Sequence, residues 1–564
     1  MTVSPLVATL VCFVAYWVAY RVYARYLARR LFELDGSRPT PAHVLRDDVD
    51  YVPANRYVLF GHHYASITGL SPMLGPAIAV IWGWLPAMLW VVLGAIFVGA
   101  VHDFGALAVS IRARGASIGK VTEALIGRRG KTLFHAIIFF LIALAMGVFV
   151  HIVATLFSPE FYPESVLPSG VLIVMALGMG IAIYRRGWDL RPLTTIGFIA
   201  LLLFVGAGIR YPIIGPSLAQ WKWLLLLYAF AASVLPVWML LQPRDYINSL
   251  LLYLGVGGMY LGFLFTNPSF VAPAVDLTPE GAPSMFPFVF IVIACGAASG
   301  FHALVSSGTS AKQLDREEDA PFIGYGAMIG ESLLGLMAIL ACTAGFVSRQ
   351  EWLNRYESWQ AADDLGNNIA AFVTGTSHFL ATLGIPEGLA GTFVAVLVVS
   401  FALTSVDSAT RLLRYNVSEV GETLGISALG NRYVASAIAV AAIWFFAFYQ
   451  AGGEFAGLVL WQLFGTTNQL MAGLALLAIT VYLLRRGKPI IYTLVPMLFM
   501  LVSALSAMGT NLLEFWANRQ WALFLTGATI LALALWLTAE AWLAVRRYRR
   551  HPVVERLEVE FVSD

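Results

Sequence analysis

The chain has 564 residues, of which 59% are hydrophobic and only 12% are charged, and its mean hydropathy is +0.77. Soluble domains carry about 25% charged residues, so this composition excludes a soluble globular protein and indicates a protein that crosses a membrane many times. The formal net charge of +2 indicates no particular partner, and we expect no nucleic-acid binding. The three cysteines lie in separate apolar runs, a spacing that predicts neither a disulfide framework nor a zinc site.

Long apolar runs recur along the whole chain and predict an all-α polytopic membrane protein with about fifteen transmembrane helices. The first run has no basic segment before it and no small-residue cleavage site after it, so we expect a retained helix and not a signal peptide. The predicted spans are residues 5–27, 62–82, 84–110, 132–157, 168–184, 192–209, 221–241, 246–266, 286–306, 322–346, 388–407, 432–449, 454–484, 489–509 and 521–545.

Positive charge is concentrated in every second connector. Lys and Arg are frequent in residues 28–61 and 111–131, whereas residues 158–167 and 267–285 contain none. Cytoplasmic loops are enriched in Lys and Arg, so we expect the N-terminus outside and the C-terminus in the cytoplasm. The longest outer loop, residues 347–387, contains the stretch NNIAAFVTGTSHFLA, for which we expect an interfacial or re-entrant helix.

Five apolar stretches contain glycine, proline or polar residues that are expected to interrupt a helix. An unpaired backbone group in the bilayer core costs several kcal/mol, so broken helices persist only where they are buried or line a cavity. The alternative for any one stretch is a packing site, where small residues let helices approach closely. The five stretches are SITGLSPMLGP (66–76), ASVLPVW (232–238), CGAASGFHALVSSGTS (295–310), ALTSVDSATR (402–411) and LFGTTNQLMAG (463–473).

The order of the breaks favours an internal repeat. The span 62–82 enters the membrane from the cytoplasm, and the span 221–241, five spans later, enters from outside; such a pair is typical of a 5+5 inverted repeat. The span 286–306 is then the eighth helix of the core. This arrangement resembles the LeuT-type core, where hydroxyls of the eighth helix help to hold a sodium ion. A different phase, starting at 132–157, makes 286–306 the sixth helix.

Ionisable side chains are rare inside spans and are candidates for ion coupling. A proton relay is the leading interpretation, because histidine titrates near neutral pH. The structural alternatives are an ion pair of Asp103 with a loop arginine and helix-end hydrogen bonds of His62 and His63. No i,i+4 histidine pair is present, and we expect no metal or other cofactor. The candidates for coupling are His62, His63, His102, Asp103, His302, Glu331 and Asp407, with Ser306 and Ser307 as the sodium alternative.

The second half of a broken helix exposes N–H groups at its positive end, which favours an anionic ligand. Residues 69–76 would offer such a site to a small carboxylate, an amino acid or a short peptide. We expect no buried arginine there, because Arg411 and Arg414 are interpreted as anchors at the cytoplasmic interface. Trp238 and Trp461 are candidate gates. The candidate substrate-binding residues are Ser66, Thr68, Gly69, Ser71, Gly75, Ser233, Trp238, Thr467, Asn468 and Gln469.

Several stretches resemble the carbon starvation protein A (CstA) family over most of the chain. They are RYVLFGHHYASITGLSPMLGPAIAVIWGWLPAMLWVVLGAIFVGAVHDFGAL, ASVLPVWMLLQPRDYIN, GFHALVSSGTSAKQL, SVDSATR and WQLFGTTNQLMAGLAL. The resemblance implies a multi-pass transporter of the bacterial inner membrane in the amino acid–polyamine–organocation superfamily. It further implies uptake of peptides and, in some members, of pyruvate, with proton coupling.

We therefore predict a secondary active transporter, not an enzyme, that imports a small pyruvate-like carboxylate or short peptides by alternating access with proton coupling. Sodium coupling is the first alternative, and a channel or a metal-binding membrane enzyme is the second. No GxxxxGK[ST] motif is present, which argues against ATP-driven transport by this chain. The oligomeric state cannot be predicted from the sequence.

The expected organisation has four parts. Residues 1–61 form an additional helix and a cytoplasmic loop, and residues 62–407 form the ten-helix core. Residues 408–545 add further transmembrane helices, and residues 546–564 form a cytoplasmic tail.

Overall fold

The computed structural model describes residues 4–47, 50–362, 365–451 and 454–550, and this part of the chain is almost entirely helical. A short antiparallel hairpin, β1 (Gln450–Ala451) and β2 (Glu454–Phe455), is the exception. The helices are α1 (Pro5–Val18), α2 (Pro41–Val44), α3 (Arg56–Ile67), α4 (Ser71–Ala79), α5 (Trp84–Leu89), α6 (Ala100–Arg112), α7 (Ile118–Ile126), α8 (Arg128–Leu156), α9 (Val166–Arg186), α10 (Leu190–Arg210) and α11 (Leu218–Val234). They continue with α12 (Leu241–Thr266), α13 (Met285–Val292), α14 (Gly300–Gly308), α15 (Gly326–Ala344), α16 (Arg349–Tyr356), α17 (Leu365–Ala381), α18 (Glu387–Leu424), α19 (Arg432–Ala447), α20 (Gly457–Arg485), α21 (Ile491–Ala517) and α22 (Trp521–Arg550).

Several spans are built from more than one helical segment. π-Helical turns extend α1 at Ala19–Ala24 and Leu27–Leu31, join α5 to α6 at Trp90–Gly99, and precede α15 at Pro321–Tyr325. Among the described residues, 11 helices are long and apolar enough to cross a membrane, or up to 12 if the bent pair α3–α4 counts as one span. The prediction of an all-α multi-pass membrane protein is therefore confirmed, while the count of fifteen spans stays a prediction.

The spans differ in how much of their surface lies inside the protein. In the most apolar part of Val459–Arg485, 94% of the residues are buried, whereas in Pro5–Leu31 only 22% are. A helix that is apolar on all sides can be buried in protein or can face lipid tails, and composition alone does not distinguish the two cases. The structure places α8, α15, α18 and α20 at the centre of the bundle and α1 and α22 at its periphery.

Two of the five predicted helix interruptions are confirmed. α3 ends at Ile67 and α4 begins at Ser71, with a bend of 46° between the two helices. α13 ends at Val292, α14 begins at Gly300, and Gly296 between them has a positive φ of 82°, which favours glycine. The stretch ASVLPVW is not a break inside a span, because α11 ends at Val234 and residues 235–240 connect it to the separate helix α12.

The other two predicted interruptions are wrong, because residues 402–411 lie within α18 and residues 463–473 lie within α20. In α20 the hydroxyls of Thr466 and Thr467 each donate to the carbonyl four residues earlier, at 2.7 Å. A hydroxyl can donate its hydrogen bond to a carbonyl of its own helix while that helix stays intact, so polar residues in a span do not require a break in the helix.

Connectors that were predicted to share one side of the membrane contact one another. On the side rich in Lys and Arg, Thr40 Oγ1 donates to Leu314 O at 2.5 Å, and Arg112 pairs with Glu317 at 2.9 Å. Lys488 pairs with Glu33 there, and this contact lowers the pKa of the Glu33 carboxyl. We call this side the basic end. At the other end, Trp84 N donates to Pro273 O at 3.1 Å, which joins two connectors that lack basic residues.

The long connector after α15 forms two helices, α16 and α17, and NNIAAFVTGTSHFLA lies within α17. α17 packs against α4, α12, α15 and α18 and is largely buried, so it is part of the bundle and not a helix lying on its surface. Tyr356 in α16 donates to Ala77 O in α4 at 2.8 Å. α16 and α17 therefore cover the end of α4 that lies away from the basic end.

Candidate functional site

The two broken helices contact each other at their breaks. A Cβ atom added to Gly75 in α4 would lie 2.5 Å from Val292 O and 3.0 Å from Ile293 Cα, so only glycine allows this approach. Gly296 lies against Pro72 in a similar way, since a Cβ added there would lie 3.5 Å from Pro72 Cβ. The start of α4 therefore packs directly on the open segment between α13 and α14.

Side chains of the intact helix α20 satisfy the open backbone between α13 and α14. Asn468 Nδ2 donates to Ala294 O at 2.5 Å, and Asn468 Oδ1 accepts from Phe301 N at 3.1 Å. Gln469 Nε2 donates to Phe290 O at 2.8 Å. Helix ends buried in a membrane require partners of this kind. The structure thus engages the amides of Asn468 and Gln469, both predicted to bind substrate, as caps of the break.

A cluster of ionisable side chains lies next to the second break. Asp103 accepts hydrogen bonds at its two carboxylate oxygens, from His102 Nδ1 at 2.7 Å and from His302 Nδ1 at 2.8 Å. The other ring nitrogen of His302 lies 3.3 Å from Glu331 Oε2. All four side chains are fully buried. Four predicted coupling residues thus form one chain of contacts, which we call the acidic cluster: His102, Asp103, His302 and Glu331.

Cys295 lies beside the acidic cluster. One ligand atom each from Cys295, His302 and Glu331 falls within 4.8 Å of the others, which is the only such set found among the described residues. Thiolate, imidazole and carboxylate are all zinc ligands, but structural zinc sites have four. The Cys295 thiol donates to Ser299 Oγ at 3.1 Å. This set has one ligand fewer than a structural zinc site, and its His302 and Glu331 already contact each other in the acidic cluster.

The histidines of α3 do not join the acidic cluster. His62 Nδ1 lies 2.9 Å from Asp245 Oδ2 in α12, and His63 Nδ1 lies 2.7 Å from Ser310 Oγ. His62 and His63, both predicted to take part in ion coupling, thus contact α12 and the segment after α14 and not Asp103.

A second buried network joins α11, α12 and α18. Arg244 forms an ion pair with Asp407, and both side chains are fully buried. Tyr228 OH donates to the same carboxylate at 2.6 Å. Asp407, which was predicted to take part in ion coupling, is thus paired with an arginine 163 residues away. An ion pair of this kind is costly to break on one side only, so it fixes the three helices relative to one another.

A cavity leads from the basic end to the C-terminal half of α3, where His62 and Ser66 line it. Its narrow part has a volume of about 30 Å³, and a wider cleft of about 440 Å³ joins it. The two parts share Asp50, Gly308, Lys312, Leu412 and Tyr415 as lining residues. We call the narrow part the inner cavity.

Four buried polar atoms on the walls of the inner cavity have no hydrogen-bond partner among the described residues: His62 Nε2, Ser66 Oγ, Ser408 Oγ and Arg411 Nε. A buried polar group without a partner is costly, and such groups together mark a site for a polar ligand. Arg411 Nη2 is already engaged, since it donates to Ala232 O at 2.6 Å and to Leu235 O at 2.5 Å at the end of α11.

The interpretation of Arg411 and Arg414 as interface anchors is wrong, since their exposed fractions are only 4% and 8%. We also expected no buried arginine at the substrate site, and this expectation is wrong, since the buried Arg411 lines the inner cavity. A signal was present in the sequence: Arg411 lies four residues after Asp407 and three after Ser408, which places it on the same face of α18 as both. This face points to the interior of the bundle.

The remaining predicted residues fall into two groups. Thr68, Ser71 and Ser306 are buried near the breaks, and their hydroxyls have no partner in the described part of the chain. Gly69 also lies at the first break and packs closely on α18, because a Cβ added to it would lie 2.5 Å from Ser405 Oγ. Thr467 bonds within α20.

Ser233, Trp238 and Ser307 belong to the second group, which is engaged elsewhere. Ser233 Oγ donates to Ser436 Oγ at 2.9 Å in α19, and the Trp238 ring packs on Tyr184 of α9, with 5.6 Å between the ring centroids. Ser307 Oγ donates to Ala303 O at 2.7 Å and accepts from Ile118 N at 3.0 Å. The second candidate gate, Trp461, donates from Nε1 to Val292 O at 3.3 Å and so supports the break.

Curated proteins similar to this chain include a symporter and several peptide transporters. The pyruvate/proton symporter BtsT of Escherichia coli K12 is 34% identical, over 88% of this chain and 80% of its own length. The peptide transporter CstA of Helicobacter pylori J99 is 32% identical over 84% of this chain and 77% of its own, and that of Bacillus subtilis 168 is 31% identical over 92% and 91%. These relatives are transporters and not enzymes, as predicted.

Solved structures also match at low identity. A manganese transporter of Eremococcus coleocola is 13% identical, covers 90% of this chain and 99% of its own, and has a TM-score of 0.47. MhsT in complex with L-phenylalanine is 12% identical over 86% and 98%, with a TM-score of 0.48. The model of the family described as carbon starvation protein CstA matches residues 4–354 and 350–507. The chain is therefore a member of the carbon starvation protein CstA family.

Proposed function

We propose that this protein is a proton-coupled secondary transporter that imports a small pyruvate-like carboxylate across the bacterial inner membrane by alternating access. The observation that carries the proposal is the convergence of four unpartnered polar atoms on the inner cavity, beside the first broken helix. Similarity to a pyruvate/proton symporter supports the same substrate class and the same coupling ion.

The chemistry of the inner cavity suits a carboxylate. Arg411 contributes a guanidinium, and Ser66 and Ser408 contribute hydroxyl donors. Lys312 adds a second positive charge at the shared wall of the cavity and the cleft, where the carboxyl of Asp50 also lies. Charge-assisted hydrogen bonds from arginine to a carboxylate are among the stronger polar contacts in proteins. The small volume of the inner cavity favours an acid of a few non-hydrogen atoms.

The acidic cluster is the proposed route for the coupled proton. Asp103 lies on α6, His302 on the second broken helix and Glu331 on α15, so movement of α14 changes the contacts that hold the proton. A transporter couples a proton to its substrate when the protonation state favours one conformation over the other. Of the two serines of the sodium alternative, Ser307 Oγ is engaged by Ala303 O and Ile118 N, whereas Ser306 Oγ has no partner among the described residues, so sodium coupling is kept as the alternative.

We further propose that the α3–α4 span pairs with the α13–α14 span, and not with 221–241. The α13–α14 span is the eighth of the predicted core and not the sixth, so two of the spans between the pair would lie outside a 5+5 repeat. α3 begins at the basic end of the bundle and α14 ends there, since Ala54 N, just before α3, donates to Gln313 O, just after α14, at 2.9 Å. The two broken spans therefore run in opposite directions. The core on this assignment extends through α20, because Asn468 supports the break, and therefore beyond the expected limit at residue 407.

The proposed state of the transporter in this structure is inward-facing, with the cavity open to the cytoplasm. The cavity and the cleft open at the basic end, which the distribution of Lys and Arg assigns to the cytoplasm. At the opposite end α16 and α17 cover α4, with Tyr356 bonded to Ala77 O and the Trp82 and Trp359 ring centroids 5.3 Å apart. The N-terminus is then outside and the C-terminus cytoplasmic.

Short peptides are the second candidate substrate, and the wider cleft favours them. Its volume is about 440 Å³, and Glu419 and Glu422 on its wall could attract the amino terminus of a peptide. Several relatives are named peptide transporters.

Counterflow in proteoliposomes tests the proposed function. Vesicles preloaded with unlabelled pyruvate are diluted into labelled pyruvate, and competition by acetate, lactate, alanine, dialanine and trialanine is measured. The proposal predicts trans-stimulated uptake that other small carboxylates reduce and peptides do not. Competition by peptides alone would favour the second candidate. Pyruvate flux without trans-stimulation would indicate a channel and contradict the proposal.

A further inference from the structure

A third cavity, remote from the inner cavity, lies between the start of α8 and the end of α22. Its volume is about 560 Å³. The lining residues are Ile126, Gly127, Arg128, Arg129, Glu540, Leu543, Arg546 and Arg547. Four arginines and one glutamate give this cavity a formal charge of +3, in a chain whose total charge is only +2.

Most of this positive charge is not neutralised by the described residues. Glu540 lies 3.8 Å from Arg129 Nη1, but the Arg129 side chain is 80% exposed and the contact is a weak one. Arg128 donates to the Thr423 carbonyl at 3.4 Å, and the Arg546 guanidinium lies 3.4 Å from the centroid of the Trp542 ring. These contacts orient the guanidinium groups without cancelling their charge.

The start of α8 adds to the positive potential. This helix has 29 residues, its N-cap is Gly127 with φ 122°, and no side chain caps its first N–H groups. A Cβ at Gly127 would meet nothing within 4 Å, so the helix start opens into free space at the cavity. Free N–H groups and the helix dipole both favour an anion at this position.

The cavity lies at the boundary between the lipid-facing surface and the basic end. Arg485 Nη2 donates to Leu125 O at 2.6 Å, and Tyr548 OH donates to Arg485 O at 3.0 Å, which places the cavity beside the basic connector after α20. The adjoining surface of α22 is apolar and exposed, with Trp542 at 51% and Leu543 at 45%. A ligand there can therefore have a charged head and an apolar body.

We propose that this cavity binds the phosphate of an anionic phospholipid, with Arg128, Arg129, Arg546 and Arg547 around the headgroup and the acyl chains along α22. Basic pockets between transmembrane helices at the cytoplasmic side recognise such headgroups. The exposed apolar face of α22 favours a lipid over free phosphate, which shares the same charged group. The site is independent of the transport proposal, since none of its residues lines the inner cavity.

Native mass spectrometry of the full-length protein tests the site. Wild type is titrated in detergent with phosphatidylglycerol, with phosphatidylcholine and with inorganic phosphate. The test variant is Arg129→Gln/Arg547→Gln, whose side chains are exposed, and the matched control is Arg185→Gln/Arg186→Gln at the end of α9. We expect the Kd of the first phosphatidylglycerol to rise at least tenfold in the test variant and to stay within twofold in the control.

Three outcomes would overturn the proposal. The first is an unchanged phosphatidylglycerol Kd in the test variant, and the second is equal binding of phosphatidylcholine by wild type. The third is displacement of phosphatidylglycerol by inorganic phosphate at similar concentration, which would assign the cavity to the free anion. The melting temperature of each variant is measured alongside, and Arg129→Gln alone, expected to show a smaller rise in Kd, replaces the double variant if that variant is unstable.

Discussion

Replacing Arg411 by glutamine separates the proposed substrate contact from the structural role of the same side chain. In the wild type, Nη2 donates to two carbonyls at the end of α11, while Nε on the wall of the inner cavity has no partner in the described chain. Glutamine removes the charge and shortens the side chain. We therefore expect weaker pyruvate binding and, separately, a less stable end of α11.

The size of the binding effect follows from the contact that is lost. A hydrogen bond to a charged group contributes about 1.5–3 kcal/mol, and 1.4 kcal/mol is about a factor of ten in affinity. The Kd for pyruvate is therefore expected to rise about 10- to 150-fold. The two carbonyls left without Nη2 each cost about 1–3 kcal/mol of stability, an effect read from the melting temperature and not from the Kd.

The assay is isothermal titration of purified protein with pyruvate, with the melting temperature measured on the same samples. Arg414→Gln is the matched control: it makes the same change three residues along α18, at a buried arginine that stacks on Tyr415 with its guanidinium 4.4 Å from the ring centroid. A folded Arg411→Gln variant with a Kd within twofold of wild type would refute the assignment. So would an equal loss of affinity in Arg414→Gln.

Two further substitutions test the supports of the breaks. Gly75→Ala places a Cβ 2.5 Å from Val292 O, so we expect it to destabilise the protein by about 1–3 kcal/mol and to reduce uptake. Gly178→Ala is the control, because nothing lies within 4 Å of a Cβ there, and we expect it to match wild type in melting temperature and counterflow. Asn468→Leu leaves Ala294 O and the Phe301 N–H without their partner, so we expect a loss of about 2–6 kcal/mol, measured by thermal unfolding in detergent. Equal behaviour of the two glycine variants, or an unchanged melting temperature of Asn468→Leu, would contradict the described contacts.

The interruptions that were predicted correctly share a local signal. Glycine and proline alter the backbone themselves, and the first break contains Gly69 and Pro72 while the third contains Gly296 and Gly300. The stretch 402–411 contains neither residue type, and its helix is intact. The stretch 463–473 contains Gly465 and Gly473 and is intact too, so glycine without a nearby proline or a positive φ does not suffice to open a helix. Serine and threonine were given the same weight as glycine, although their hydroxyls bond within a helix and leave its backbone closed.

The partners of the buried charges could not be predicted, because they depend on which helices pack together. Asp103 meets His302 across 199 residues, and His62 meets Asp245 across 183 residues. Asp103, His62 and His302 were all predicted as ion-coupling residues, but the structure divides them between two networks. The sequence shows which span carries a charge, whereas its partner depends on the rotation of each helix about its axis.

Uptake under single ion gradients tests the central claim, that protons drive substrate accumulation through the acidic cluster. Labelled pyruvate uptake is measured in proteoliposomes with only a pH gradient and then with only a sodium gradient, for wild type, Asp103→Asn and Ser306→Ala. We predict accumulation under the pH gradient alone in wild type and Ser306→Ala. Asp103→Asn should lose this accumulation and retain counterflow. Accumulation driven by sodium alone, lost in Ser306→Ala and intact in Asp103→Asn, would contradict the account.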